Sequence, residues 1–278
     1  MIEKIFIPTV NRVNNQIFYS NLPDVLKKKV VFVVQAWERN KYTYPAEYLV
    51  LPDTEEFKYT SYLCIARTRN YVYHYAQHMK YVIADDDILF GRRNKKYFGL
   101  ESNMLKSKKY STEDDILEMF ETFSSWLDED ITVCGCACVS NPPANKLYRD
   151  NGSLSSCLWI DGNKFCDILP SLNLEKVKCG EDVYFLLSLL SRGYKTRVSE
   201  EFIYFNTSAI NKKVDSIIWD NQKEEDTYRD HKILETDFPG IFKILYDSNN
   251  NRIAGGYRNS GRVKIQWSKA YKQFIRGK

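Results

Sequence analysis

The stretch Tyr81-Val82-Ile83-Ala84-Asp85-Asp86-Asp87 decides the predicted fold, because an apolar run ends abruptly in three consecutive carboxylates. An apolar run with two β-branched members is typical of a strand covered on both faces, which needs no polar alternation. The acids then follow the strand at its carboxyl end, the edge of an open α/β sheet where ligands bind.

The three adjacent carboxylates repel one another unless something positive neutralises them. A divalent cation with oxygen ligands is the simplest neutraliser. Mg²⁺ or Mn²⁺, held by one or two carboxylates with diphosphate oxygens and water in the remaining positions, fits better than an all-protein cage. A solvated acidic turn is the alternative, and the buried strand that precedes the acids favours a ligand site.

The composition predicts one α/β domain with a C-terminal extension. The chain has 278 residues, of which 44% are hydrophobic and 14% aromatic, enough to bury a large core. We expect a domain over residues 1–250 and an extension over residues 251–278 that packs on it. No run approaches the ~18 apolar residues of a membrane span, and the first residues lack the apolar region of a signal peptide. A soluble, cytoplasmic protein without a membrane partner is therefore expected.

The seven cysteines are an odd number at irregular spacing, which argues against a disulfide framework and for a reducing compartment. Cys134, Cys136 and Cys138 alternate and would share one face of a strand. A soft-metal site is one interpretation, but the paired knuckles of a zinc site are missing. Small buried thiols are the favoured interpretation.

The formal charge of +4 is divided unequally along the chain. Residues 252–278 contain eight of the 40 Lys and Arg residues and no acid, so residues 1–251, with the other 32 and all 36 acids, carry −4. Four aromatic residues lie among these cations. This composition suits a nucleic-acid surface, where cations follow phosphates and rings stack on displaced bases. A basic helix that packs its aromatic side chains on the domain is the equally weighted alternative.

Polar residues follow two further predicted strands. Ile5–Pro8 is predicted to be a short strand, and Thr9 and Arg12 follow it. Val30–Val34 is predicted to be a second strand, and Gln35 follows it. A helix over about residues 17–28 separates them, so the right-handed crossover rule makes the strands a parallel pair.

Charged residues also mark two predicted helices and a basic cluster. A helix from about Ser61 to Met79 carries Arg67, Arg69 and Asn70, whose polar groups could bind phosphate or a nucleobase. Glu181 and Asp182 begin another helix after Gly180, where the helix dipole alone would favour acids by roughly 0.3 to 1 kcal/mol. The cluster that follows the acidic triplet is predicted to meet phosphates, and it consists of Arg92, Arg93, Lys95 and Lys96.

Three of these segments together resemble nucleotide-sugar glycosyltransferases of the GT-A fold: Ala66–Asn70 on a helix, Ala84–Asp87 after a strand, and Gly180–Asp182 at a later helix start. The resemblance covers about residues 3–205. It implies an α/β fold with a mixed, mostly parallel sheet flanked by helices, and a metal-dependent transfer of a sugar from a UDP-sugar.

The resemblance also implies roles for individual residues. Asp182, with Glu181 beside it, matches the base that deprotonates an acceptor hydroxyl, and Asp85 and Asp87 match the ligands of Mn²⁺ or Mg²⁺. His231 is the candidate for a late metal-binding histidine. The residues that match or adjoin the nucleotide-sugar site are Pro8, Thr9, Arg12, Gln35, Arg67, Arg69, Asn70, Asp85 and Asp86.

The segments Asp230-His231 and 255–270 resemble the glycosyltransferases that decorate 5-hydroxymethylpyrimidines in bacteriophage DNA and the related base J enzymes. This likeness implies double-stranded DNA with a modified base, preferably 5-hydroxymethylcytosine, as acceptor, and host-cell cytoplasm if a phage encodes the protein. The base would have to be flipped out to reach the donor sugar. The predicted DNA contacts are Arg258, Arg262, Lys264, Trp267, Lys269 and Lys272.

Other functions remain as alternatives. A UDP-sugar glycosyltransferase acting on a protein or surface glycan would be indifferent to DNA. A non-catalytic nucleic-acid-binding protein would not turn over UDP-sugars. Nucleotidyl transfer uses similar acids, but the sequence has no glycine-rich phosphate loop beside a strand.

Overall fold

The computed structural model of the protein describes residues 1–59, 63–94, 108–141, 145–207, 224–249, 251–253 and 262–276. Within these ranges the chain forms an α/β structure. The strands are β1 (Lys4–Pro8), β2 (Val30–Val34), β3 (Glu47–Val50), β4 (Lys80–Ala84), β5 (Ile88–Arg93), β6 (Lys108–Tyr110), β7 (Val133–Cys138), β8 (Tyr148–Asp150), β9 (Cys157–Asp161), β10 (Thr196–Asn206), β11 (Phe242–Ile244) and β12 (Val263–Ile265). The α-helices are α1 (Ile17–Ser20), α2 (Asp24–Lys27), α3 (Cys64–Tyr75), α4 (Glu113–Asp128), α5 (Glu181–Leu190), α6 (Glu224–Asp237) and α7 (Trp267–Arg276).

One mixed sheet organises the molecule, with the strand order β3-β2-β1-β4-β9-β7-β10-β5-β6 and β8 paired to β10. The strands from β3 to β4 run parallel, as do β7 and β10, whereas β9 lies antiparallel between β4 and β7. Phe6 of β1 faces Val31 of β2 and Ile83 of β4. The carboxyl ends of β1, β2 and β4 therefore meet at one edge. The predicted parallel pairing of β1 and β2 and the mixed α/β sheet flanked by helices are confirmed.

The strand before the acidic triplet is buried on both faces, as its unbroken apolar sequence predicts. Tyr81 and Ile83 belong to the core layer beneath α3 and α5, and Val82 belongs to the layer beneath α4. Tyr73 of α3 stacks on Phe185 of α5 with ring centroids 4.3 Å apart. Burying a large apolar side chain stabilises by roughly 1.5 to 3 kcal/mol, so this stack holds the two helices that carry site residues against each other.

The opposite layer is anchored by a capped helix. Thr112 Oγ1 accepts from Asp115 N at 3.2 Å, and Asp115 Oδ2 accepts from Thr112 N at 3.0 Å, so the two residues form a complete capping box. Cys134 and Cys136 are buried beneath α4, and all seven cysteines are free thiols. The interpretation as small buried thiols is thus confirmed for these two residues, whereas Cys138 is only partly buried.

The described part of the C-terminal extension packs on the domain. β12 pairs with β11, which precedes residue 250, and α7 lies against α5. Ala270 is buried, Trp267 and Tyr271 pack against the core layer of α5, and the Phe274 ring lies over Gly193. None of the helices in the described ranges has the length and apolar character needed to cross a membrane.

Candidate active site at the carboxyl edge of the sheet

The residues that follow β1 and β4 bind one another at this edge. Arg12 Nη1 donates to Asp86 Oδ1 at 2.6 Å and lies 3.1 Å from Asp87 Oδ2. Thr9 Oγ1 donates to Asp86 Oδ2 at 2.5 Å, and Pro8 ends β1 directly before it. Side chains that are 74 and 77 positions from Asp86 in the sequence are therefore joined to it in one hydrogen-bonded group.

Gln16 completes this group and was not predicted. Its Nε2 donates to Thr9 Oγ1 at 2.8 Å and to the Arg12 carbonyl at 3.0 Å, and the side chain is buried. The Asp86 carbonyl accepts from Phe18 N at 3.0 Å, which fixes the start of α1 against the acidic triplet. No local pattern marks a lone glutamine in a loop, so only the fold reveals its partners.

Arg69 joins the acidic triplet to the later Glu-Asp pair. Its Nη2 donates to Asp85 Oδ1 at 2.7 Å, and its Nε lies 3.5 Å from Glu181 Oε1. The arginine is only 8% exposed. The helix α3 precedes β4, and the long Arg69 side chain reaches from its middle to the carboxyl end of that strand. Arg69 therefore lies among the predicted site residues, and its binding of phosphate or a nucleobase stays a prediction.

Glu181 and Asp182 form the first turn of α5, where the helix dipole favours negative charge. Gly180 precedes them with φ +84°, a left-handed conformation that a residue with a Cβ adopts only with strain. Asp182 Oδ1 accepts from Val183 N at 2.8 Å. The turn at Gly180 therefore directs the acidic pair toward Arg69 and the triplet.

Burial raises the pKa of several carboxyl groups at this edge. It raises the pKa of Asp86 to about 7, with Arg12 opposing the shift. Burial likewise raises the pKa of Asp85, Glu181 and Asp182, and the Arg69 guanidinium opposes each of these shifts. Burial thus disfavours the charged form of these carboxyl groups, and a bound cation would stabilise that form.

A buried acidic residue that was not predicted lies beyond β2. Gln35 is buried at the strand end, and the short 3₁₀ turn after it carries Glu38, which is 1% exposed. Glu38 Oε2 accepts from Asn11 N at 2.9 Å, while Oε1 is buried without a hydrogen-bond partner among the described residues. Burial raises the pKa of Glu38, and it raises the pKa of the neighbouring Tyr42 to about 12. Within the described ranges, the structure thus buries an unpaired carboxylate oxygen beside β1 and β2.

Arg67 and Asn70 lie on the same helix as Arg69 but bind a different partner. Arg67 Nε donates to Glu175 Oε2 at 2.9 Å, and Asn70 Nδ2 donates to Glu175 Oε1 at 2.9 Å. These two predicted nucleotide-sugar contacts thus hold the loop that leads to α5. Glu175 carries no sequence signal, since an isolated acid in a loop resembles any surface residue.

His231 lies on α6, and its ring packs 5.6 Å from the Phe242 ring, centroid to centroid. Burial lowers its pKa. In the part of the chain that the structure describes, no group of three or more His, Cys, Asp or Glu side chains is arranged to hold a metal ion. Asp85 and Asp87 nevertheless fit a class of Mg²⁺ and Mn²⁺ sites in which one or two carboxylates and substrate phosphates supply the ligands.

The arginines of the predicted phosphate-binding cluster are engaged inside the protein. Arg92 forms ion pairs with Asp115, Glu118 and Glu201. Arg93 is buried and donates to the Glu200 carbonyl at 2.9 Å. The prediction that these two arginines meet phosphates is therefore wrong, and Lys95 and Lys96 lie outside the described residues.

The predicted DNA contacts of the extension separate into two sets. Trp267 packs inward, which realises the alternative expected for the aromatic side chains. Lys269 Nζ donates to the Gly240 carbonyl at 3.0 Å. The exposed cations of the predicted set are Arg262, Lys264, Lys269 and Lys272, and Arg258 lies outside the described residues.

A comparison with protein families decides the identity of the domain. The model of the TET-associated glycosyltransferase family matches residues 3–214, well over half of the chain. The chain belongs to this family. No curated protein matches the chain significantly.

Family membership confirms the resemblance to glycosyltransferases that act on modified DNA bases, and the enzyme is a glycosyltransferase. The alternative of a non-catalytic nucleic-acid-binding protein is thereby excluded. All three segments that carried the resemblance lie within the matched residues, and so does the edge at which Arg69 joins them.

Proposed function

We propose that this TET-associated glycosyltransferase transfers a sugar from a UDP-sugar to the hydroxymethyl group of 5-hydroxymethylcytosine in DNA, with Mn²⁺ or Mg²⁺ as cofactor. The observation that supports the proposal most directly is the position of Arg69 between Asp85 and Glu181. It brings the acids suited to a metal-bound diphosphate next to the pair suited to proton transfer, as a sugar transfer requires.

Asp182 is the proposed general base. A hydroxymethyl group is a poor nucleophile at neutral pH, and a positioned carboxylate that takes its proton contributes typically 10²- to 10⁴-fold in rate. Burial raises the pKa of Asp182, which strengthens it as a proton acceptor once it is ionised. Glu181, in contact with Arg69, holds its neighbour's helix turn in place.

The donor nucleotide is proposed to lie along the ends of β1, β2 and β4. The hydrogen-bonding groups proposed to bind a nucleoside there belong to Gln35 and Glu38, which follow β2. Arg12 and Arg69 supply positive charge near the diphosphate. Asp85 and Asp87 would hold the divalent ion, which when bound neutralises charge on the departing diphosphate.

The acceptor is proposed to bind through its phosphates at the extension. Lys243 of β11 and Lys264 of β12 stand directly opposite in the hairpin, and both side chains are exposed. Like charges placed opposite in a sheet destabilise it, so an anionic partner would relieve the repulsion. Because Trp267 and Tyr271 pack inward, this surface is suited to phosphate contacts that position DNA without reading its sequence.

The proposed reaction is tested by incubating the enzyme with Mn²⁺, a panel of UDP-hexoses and UDP-pentoses, and duplex DNA with or without 5-hydroxymethylcytosine. Mass spectrometry of the released nucleosides should show one sugar added only to the hydroxymethylated base. EDTA and Asp182→Asn should each abolish the product. Transfer to a protein or glycan with none to DNA would refute the DNA acceptor, and full activity in EDTA would refute the metal.

The DNA surface has its own test. Reversing Lys264 and Lys272 to Glu should weaken DNA binding and reduce the slope of log affinity against log salt by about one for each phosphate that the surface no longer binds. Reversing the exposed Lys28 and Lys58 changes the net charge equally and serves as the matched control. An equal effect of both pairs would remove the extension from DNA binding.

A further inference from the structure

One face of α6 covers the turn that leads to the catalytic pair. Thr227 Oγ1 lies 3.8 Å from Cys179 Sγ, and Leu234 Cδ1 lies 3.6 Å from the position of a Cβ added at Gly180. Asp230 lies between them on the same helical face. All three side chains are buried. This helix begins at residue 224, beyond the end of the family match at residue 214.

Asp230 binds the backbone of this turn directly. Its Oδ2 accepts from Lys178 N at 2.9 Å and from Cys179 N at 2.8 Å. The side chain is fully buried, at 0% exposure. A carboxylate oxygen that accepts two backbone N–H groups makes charge-assisted bonds, which are stronger than neutral ones. Two successive amides are thereby fixed shortly before Asp182 in the chain.

We infer that Asp230 is a positioning residue for the proposed sugar transfer, holding the turn 178–180 so that Glu181 and Asp182 face the acceptor. The inference rests on the proposed role of Asp182 and extends it to a residue outside the matched domain. Only Gly180 separates the fixed amides from the pair, and its left-handed conformation sets the direction of the first turn of α5. A general base acts only within hydrogen-bonding reach of its proton, so the orientation of this turn controls the rate.

A purely structural role for Asp230 makes a different prediction, and Asp237 provides the comparison. Asp237 lies on the same helix and also ties it to the loop before α5 and to α5 itself. Its Oδ2 accepts from Lys176 Nζ at 2.7 Å and from the Tyr184 hydroxyl at 2.8 Å. Both of these contacts are with side chains, so Asp237 does not bind the backbone at residues 178–179. Removing the Asp237 carboxylate should therefore lower stability without reorienting the catalytic pair.

The test compares Asp230→Ala, Asp230→Asn and Asp237→Ala in the full chain. In Asp230→Ala, kcat should fall about 100-fold, as expected for a displacement of about 1 Å at the reacting groups, with KM for the UDP-sugar within about twofold. Asp230→Asn should restore most of kcat, because a carboxamide oxygen can accept from both amides. Asp237→Ala should keep kcat within about twofold while lowering the unfolding temperature.

Hydrogen exchange gives a readout that needs no turnover. The Lys178 and Cys179 amides should exchange faster in Asp230→Ala than in the wild type, and at wild-type rates in Asp237→Ala. If Asp230→Ala does not fold, Asp230→Glu carries the test, since it keeps the acceptor but moves it by one methylene group and should lower kcat at least tenfold.

The positioning role is refuted by unchanged exchange at these amides, by wild-type kcat in the folded Asp230→Ala or Asp230→Glu variant, or by an equal loss of kcat in Asp237→Ala. Absence of sugar transfer by the wild type would instead refute the proposed function. The exchange measurement then still decides whether Asp230 fixes the turn.

Discussion

Two clusters of arginines and acids lie on the same sheet, and they differ in how their charges balance. At the carboxyl edge, two arginines share four carboxylates in ion pairs: Arg12 with Asp86 and Asp87, and Arg69 with Asp85 and Glu181. Around β5 and β10, the ion pairs within the described ranges join four cations to four carboxylates, namely Arg92, Arg93, Lys109, Arg149, Asp115, Glu118, Glu200 and Glu201.

The pKa shifts follow this difference. Burial raises the pKa of Asp86 and Glu181 in the first cluster despite their arginines. In the second, burial also opposes ionisation of Asp115, but hydrogen bonds from Thr112 and Arg92 outweigh it and hold its pKa well below the ordinary value. Removing one partner from a balanced buried cluster destabilises the fold, whereas an unbalanced cluster keeps charge available for a ligand or a proton.

The largest expected difference between the clusters is in catalysis. Asp182→Asn should lower kcat about 10²- to 10⁴-fold, because the amide cannot accept the acceptor's proton, while KM for the UDP-sugar changes little. Glu118→Gln in the balanced cluster should leave kcat of the folded enzyme unchanged. Steady-state kinetics on 5-hydroxymethylcytosine DNA measure both. A comparable loss in the two variants would end the functional distinction between the clusters.

The balanced cluster should dominate stability instead. Glu200 is fully buried between Arg93 and Arg149, so Glu200→Gln leaves buried arginine charge without its carboxylate and should cost about 3 to 5 kcal/mol of the free energy of unfolding. Glu121→Gln, at an exposed position of α4, should change it by less than about 0.5 kcal/mol. Urea unfolding followed by circular dichroism gives both values. A change in Glu200→Gln no larger than that in Glu121→Gln would contradict the assignment.

A divalent cation should bind only to the unbalanced cluster. Mn²⁺ at about 100 times its dissociation constant should raise the free energy of unfolding by about 2.7 kcal/mol. Asp87→Asn should lose this gain, and Asp115→Asn, although less stable, should keep it. Thermal unfolding with Mn²⁺ and with EDTA measures the gain. An equal gain in Asp87→Asn and the wild type would place the ion elsewhere.

The parts of this comparison that sequence reasoning predicted are those set by local pattern. The buried strand before Asp85 and the strand-helix-strand order at the N-terminus place Thr9, Arg12 and Asp86 at one edge, because parallel strands end together. Arg69 also followed from a local pattern, since its helix delivers the chain into the acidic strand. Each of these inferences needed only neighbouring residues and one topological rule.

The residues that were missed or misread depend on distant partners. Arg92 and Arg93 resemble a phosphate-binding cluster in sequence, but the antiparallel ladder sets Phe202 opposite Arg92 and brings Glu200 and Glu201 to them. Gln16 and Glu38 lie in loops where a polar residue is ordinarily solvated. Asp230 follows a long segment after β10, and no local pattern links it to a turn that lies 51 and 52 residues earlier.

The smallest expected difference lies in how the stability conferred by each cluster depends on pH. Burial raises the pKa of Glu181 to about 7, whereas an unfolded glutamate has a pKa of about 4.3. Between these values the folded protein holds a proton that the unfolded chain has released, so this group lowers the free energy of unfolding as pH rises from about 5 to about 7. The side chain that replaces the carboxylate in Glu181→Gln does not ionise in this pH range. The variant should therefore gain stability relative to the wild type across this window.

Asp115 should behave in the opposite sense because its pKa is lowered on folding. Its contribution to the free energy of unfolding is complete above the unfolded pKa of about 3.9 and is lost as the pH falls below that value. The difference in stability between Asp115→Asn and the wild type should therefore stay constant from about pH 5 to about pH 8. Urea unfolding of both variants across this range separates the two behaviours. The stability difference between Glu181→Gln and the wild type could instead stay constant or shrink with rising pH. That result would mean that Arg69 already balances the charge of the ionised Glu181 carboxylate, and the two clusters would then not differ in charge balance.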